Sequence, residues 1–237
     1  VQAAGVSASL QSVILDLNCL AQGLSQSICG NHAPIDPRSL DEHLVQIHHD
    51  LLELITTSSM SQSISPTDGI NQDMDFDEAT SIAALLCAKA INRRKFSTPP
   101  RPRAVVHRLA TSLAPIHEIL SFTEYMDVHI SEAHFDLLLW IYFMGGMAAR
   151  AAEVDFFIDG LSCLISHARH SKGLEVGGGL RCQSWDEVKF LLGKIVWLPL
   201  VHDETGKMIW DLVTIRGFAS NLDRLIVGHR TDLVCTG

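Results

Sequence analysis

Apolar residues recur along this chain at intervals of three and four, the period of a helix that hides one face, and no segment shows a convincing strand alternation. Over 8–28, Leu10, Val13, Ile14, Leu17, Leu20, Ala21 and Leu24 form one such stripe, and Gly30 ends it. A second helix is expected to open at Ser39 as N-cap, with Glu42 three residues on completing a capping box. Leu40, Leu44, Ile47, Leu51 and Leu54 share its inner face, while Asp41, Glu42, Gln46, His49 and Glu53 share the outer one. The stretch 56–75 is polar, carries Pro66 and Gly69, and has no period, which reads as a mobile surface loop. Helix resumes at Phe76, with Ala79, Ala83, Leu86 and Ala90 as its buried side.

Residues 93–103 form a basic, proline-rich connector with Arg93, Arg94, Lys95, Arg101 and Arg103 around Pro99, Pro100 and Pro102. Such a cluster is a solvated connector more often than a nuclear-import or phosphate-binding patch. A helix restarts near Arg103 with Val106, Leu109, Leu113, Ile116 and Leu120 inside, and Pro115 is expected to kink it. The segment 137–149 has no charge at all, yet is shorter than the about 20 apolar residues a bilayer requires. It therefore reads as a helix buried on every side, in which Gly145 and Gly146 permit close helix approach or a bend.

Beyond it the pattern predicts a helix over 153–170, a flexible break at Gly177, Gly178 and Gly179, and a second capping box from Ser184 and Glu187. That box opens a helix carrying Val188, Leu191, Leu192, Ile195 and Val196 up to Pro199. Asp203 to Lys207 is expected to turn around Gly206, before a last helix through Trp210, Leu212, Val213 and Ile215. The sum is an all-α chain: one domain over 1–237, of seven to nine helices wrapped around a buried central one.

Composition narrows the function classes. Apolar residues make up 47% and charged ones 19%, a globular mix slightly short of charge. A formal charge of -9 sets the whole against phosphate backbones and anionic lipid surfaces, so neither nucleic acid nor membrane is expected as a direct partner. Cys19, Cys29, Cys87, Cys163, Cys182 and Cys235 lack paired spacing, which fits reduced thiols in a nuclear or cytoplasmic protein. No signal-peptide pattern precedes the first helix, and the start at Val1 reads as a cut from a longer chain.

Candidate chemistry is sparse. Cys163, His167 and His170, at i, i+4 and i+7, could face one metal from a single helix, but a fourth ligand from another element is lacking; no metal and no cofactor is expected. His48 and His49 are adjacent and so point to different faces, with His48 at the edge of the core. His117 and Glu118 start an H-E-x-x-H motif that Ser121 breaks. The glycine run 177–179 lacks the surroundings of a phosphate loop. Trp140, Phe143, Met144 and Trp197 could line an apolar ligand site, although the same residues at helical spacing are more often core.

The run Leu138-Leu139-Trp140-Ile141-Tyr142-Phe143-Met144-Gly145-Gly146 precedes Trp185-x-x-Val188-Lys189-x-x-Leu192, Trp197-Leu198, Gly206 and Trp210. In order and spacing these resemble the C-terminal regulatory domain of fungal zinc binuclear cluster transcription factors, over about residues 100 to 215. The resemblance implies a helical domain that regulates activity, receives effectors or aids dimerisation, next to a six-cysteine DNA-binding cluster absent from these residues. It carries over no catalytic residue. Two readings follow. The first is an effector-binding regulatory module, taking a small apolar ligand, a second copy or a protein partner, with the cluster encoded before Val1. The alternative is a stand-alone, cofactor-free enzyme on the same scaffold that converts an apolar natural product, with one histidine as acid or base and His117 and His134 as the first choices.

Overall fold

The computed structural model describes residues 6–30, 36–58, 76–93, 103–122, 130–170 and 182–234. Eight helices account for nearly all of them: α1 Ala8–Ile28, α2 Pro37–Ser58, α3 Asp77–Arg93, α4 Arg103–Phe122, α5 Glu132–Ala148, α6 Ala151–His170, α7 Trp185–Gly193 and α8 Pro199–Val234. No strand occurs among the described residues. The expected loop over 59–75, most of the basic connector and the glycine run at 177–179 lie outside them.

α5 is enclosed as its composition demands. Trp140, Ile141, Tyr142 and Phe143 are each 0% exposed. Four consecutive residues span more than one full turn, so water is kept from the whole circumference. α3, α4, α6, α7 and α8 all pack against it. α3 differs from expectation, because every residue from Ala79 to Ala88 is buried, not one stripe alone. Its alanines, Thr80 and Ser81 add little bulk, so α1, α2, α4, α5 and α8 close on it from every direction. The centre of the fold is thus a pair of antipodally covered helices, α3 and α5, in mutual contact.

Several helix ends follow the local chemistry of the sequence. Ser7 caps α1 through its hydroxyl on Leu10 N, and its own N–H donates to Asp77 Oδ1 at 2.7 Å, joining α1 to the start of α3. Ser131 caps α5, and Ser184 with Glu187 forms the expected capping box of α7. Gly30 ends α1 with φ +75, a conformation that a side chain would strain.

Four expectations are corrected. α2 starts at Pro37, two residues before Ser39: Asp36 accepts from Arg38 N and Ser39 N, and Glu42 pairs with Arg38 instead of boxing Ser39. Proline at the first helical position has its φ already set and no N–H to satisfy, which moves the cap outward. At its other end α2 runs on through Thr56 and Thr57, whose hydroxyls donate to Glu53 O. α7 stops at Gly193, leaving Ile195 and Val196 buried in the link to α8.

The largest correction concerns 203–207, which is no turn but the second turn of α8. A Cβ on Gly206 would lie 2.7 Å from the Trp197 ring and 2.9 Å from the Trp185 ring. Gly206 is therefore a notch for two indoles, not a helix breaker. Pro115 sits within α4, which runs on past it.

Ion pairs tie the layers at the periphery. Arg108 of α4 reaches Glu78 of α3 at 2.7 Å, Arg216 of α8 reaches Asp155 and Asp159 of α6, and Lys194 reaches Asp136 of α5 at 2.8 Å. Asp136 is buried, and burial pushes its carboxyl above the usual range while Lys194 opposes the shift.

A candidate ligand-binding cavity

The link from α7 to α8 is short, apolar and anchored. Trp140 Nε1 donates to Val196 O at 2.8 Å, and Trp197 Nε1 donates to Asp203 Oδ1 at 2.7 Å. These two bonds place the start of α8 over the end of α5. Pro199 then opens α8, whose first turn is held by His202: Leu198 N–H donates to its Nδ1 at 3.1 Å. The imidazole thus satisfies the backbone donor at the helix entrance, a task usually left to a capping side chain.

That bond also decides the chemistry of His202. With Nδ1 accepting, the proton of the neutral ring is on Nε2, which lies 4.0 Å from Cys87 Sγ of α3. Burial lowers the imidazole to about 4 and raises the thiol to about 12. A neutral imidazole whose lone pair is already used cannot take a proton from a thiol that holds it tightly. The Cys87 and His202 pair is consequently no nucleophile and base, despite its composition.

Beside this pair a cavity of about 340 Å³ opens between three helices. α3 contributes Leu86, Lys89 and Ala90, and α5 contributes Met144, Met147 and Ala148. The first two turns of α8 supply Leu200, Val201, His202 and Thr205. The walls are aliphatic and thioether, with Lys89, His202 and Thr205 as the polar groups, the composition of a small-molecule site. A second hollow of about 450 Å³ lies between α1 and α2, with Asp16, Cys19, His43 and Asp50 in its lining. It touches neither central helix.

Of the residues singled out in the sequence, Met144 lines the cavity. Phe143 and Trp197 stand behind it in an aromatic cluster: Phe143 is 6.0 Å from Trp185 and 6.5 Å from Trp197, and Trp197 is 4.9 Å from His202. Trp140 is fully enclosed and spends its N–H on Val196. His117 and His134 go to different places. His117 rests on Phe156 of α6 at 4.8 Å, held below its usual range by burial. His134 lies against Phe76 at 5.3 Å. Neither lines the cavity.

Among the described residues no group of three or more His, Cys, Asp or Glu could hold a metal; the His170 side chain lies outside them. His48 lies at the core edge as expected, its Nε2 buried without a partner. Lys89 and His202 escaped notice in the sequence. One signal was there for His202: a proline opening a helix, with a histidine three residues on to reach back over it.

No helix among the described residues is long and apolar enough to cross a membrane. No family model, no curated protein and no solved structure matches this chain.

Proposed function

We infer that this chain is a ligand-receiving regulatory module of the kind found beside the DNA-binding cluster of fungal zinc binuclear cluster transcription factors, acting in the nucleus or cytoplasm. One observation carries the reading. The residues that suggest the family, far apart in sequence, meet at one place: Phe143, Trp185, Trp197 and Gly206 interlock at the back of a cavity that Met144 and His202 line. The cavity joins α5 to the entrance of α8, so a molecule filling it would change how those helices seat, which is what an effector must do.

The chemistry beside the cavity supports binding over turnover, since its one thiol and imidazole pair is inert. The enzyme alternative would rest on His117 or His134 as acid or base, and neither lines the cavity: His117 lies against Phe156 and His134 against Phe76.

The test is native mass spectrometry of the whole chain after incubation with an apolar small-molecule extract, alongside an Ala90→Phe variant that fills the cavity. The expected result is a retained molecule, unaltered in mass, that the variant fails to hold. Retention of nothing, or release of a chemically changed molecule, would count against a regulatory module.

A further inference from the structure

α8 is apolar on two sides. Its inward side carries His202, Gly206, Ile209, Trp210 and Val213, all buried, and the helix packs on α3, α5 and α6. Its outward side carries Met208, Leu212 and Ile215, which stay 61%, 43% and 65% exposed. Steps of four and three residues separate these three, so on a helix they form one narrow line on the side away from the core. Such a line, repeating every 3.5 residues, is the seam of a coiled coil and not the broader stripe that seats a helix on a core. In the sequence the same register runs on through Ala219, Leu222, Ile226 and Leu233, with His229 as its polar position. α8 also has the length for it: 36 residues, against 22 in α2, the next longest of the described helices.

The occupant of this seam has to be a helix with the same spacing. From Met208 to Leu233 the seam is about 38 Å long, at 1.5 Å per residue. Within this chain the longest stretch outside the described residues, 59–75, is too short to follow it as a helix and is mostly Ser, Thr, Gln, Asn and Asp. Three residues are far fewer than the about 20–30 per side of a stable interface, so a contact must run the full seam. A second α8 matches it in length and spacing, and a two-fold axis between two copies satisfies both seams at once. The edges beside Met208, Leu212 and Ile215 leave room for one partner helix. Lys207 pairs with Asp211 on one edge; on the other, next to buried Ile209, Arg216 pairs with Asp155 and Asp159 of α6. In this part of the helix neither edge offers the further apolar surface that a third strand requires.

We propose that the outward face of α8 is an interface between two copies of this chain, with Met208, Leu212 and Ile215 of each inserted into the seam of the other. The inference stands apart from the ligand-receiving reading, since none of the three lines the cavity. Each copy carries a net charge of -9, so the two bodies repel while the seam attracts.

Sedimentation equilibrium of the whole chain is expected to give a dimer in the micromolar range. Reducing conditions keep the exposed Cys19 and Cys29 from linking copies. Leu212→Glu and Ile215→Glu should each weaken association by about a hundredfold or more, and Ile215→Leu should preserve it. Both positions are exposed in the protomer, so the glutamate variants should keep its helical circular dichroism while sedimenting as monomers. Phe190→Glu changes an apolar side chain of α7 that is also exposed but lies off the seam, and it should leave the dimer intact. Salt gives a second readout: added salt should tighten association, because it screens the like-charged bodies and spares the apolar contact. A chain that stays monomeric, a dimer that survives both glutamate variants, or one lost with Phe190→Glu or loosened by salt overturns the proposal.

Discussion

Two glycines and two rings decide how closely α5 and α6 approach. A Cβ on Gly145 of α5 would fall 2.1 Å from the Phe157 ring, and one on Gly160 of α6 would fall 2.1 Å from the Tyr142 ring. Gly146, by contrast, meets nothing nearer than 3.5 Å. Gly145→Ala and Gly160→Ala are each expected to destabilise by about 2–3 kcal/mol through overpacking, whereas Gly146→Ala should be neutral or gain a few tenths from helix propensity. Urea unfolding of the three variants checks this, and equal effects at 145 and 146 would refute it. The double glycine was visible in the sequence; which of the two admits a ring depends on the rotation of α6 against α5.

At the same scale, Trp140 combines enclosure with one obligatory bond. Trp140→Phe removes the donor to Val196 O and leaves that carbonyl buried, so a loss of about 2–4 kcal/mol is expected from the unpaired acceptor together with the smaller ring. The thermal midpoint reads the outcome directly. The sequence marked Trp140 as apolar and enclosed, but the destination of its N–H, 56 residues away, belongs to the tertiary fold.

Among elements, helix beginnings show where local chemistry suffices and where it misleads. The α7 box at Ser184 and Glu187 forms as written, because nothing nearby competes with it. At α2 the similar pair Ser39 and Glu42 loses to Asp36 and Pro37, since a proline fits the first helical position best and the acid before it reaches two free N–H groups. Asp36→Ala should therefore cost about 1 kcal/mol in chemical unfolding, and Ser39→Ala less than about 0.5 kcal/mol. The reverse order would restore the cap to Ser39.

α3 and α8 teach a related lesson. The inner face of α3 was legible in Ala79, Ala83 and Leu86, yet the enclosure of Thr80, Ser81 and Cys87 was not, since small and weakly polar residues look alike in water and in a tight core. In α8, Gly206 sits among polar residues as a turn would, and only the indoles of Trp185 and Trp197, brought from other elements, explain it. The cavity residues Lys89 and His202 were hidden for the same reason: each belongs to a helix whose neighbours the local pattern does not name.

For the molecule as a whole, buried imidazoles set the response to acid. His202 titrates near 4 in the fold and near 6.5 as an unperturbed side chain. Between those values the unfolded chain binds a proton that the folded chain refuses, so stability rises with pH across this window. It is complete above about 6.5 and is lost as pH falls towards 4, by up to about 3 kcal/mol for this one group. His48 and His117 shift downward too and add in the same sense, while Asp136, shifted upward by burial, opposes them. Urea midpoints at pH 7.5 and 4.5 should differ in this direction, and His202→Gln should flatten the difference. An unchanged slope in that variant would remove His202 as the main source.

The sequence by itself determined the class of structure: helix periods, cap residues and an uncharged segment of limited length leave an all-α chain around a hidden helix as the arrangement that buries its apolar surface. Those are local properties, set by each residue's own backbone preference and its neighbours within about one turn. Tertiary structure alone decided that α3 shares the centre with α5, that Gly206 is a notch, that Trp197 and Phe143 stand behind a cavity, and that Lys89 faces it. Each of these depends on which surfaces meet across long stretches of chain, and packing complementarity is a property of pairs of surfaces that no single segment encodes.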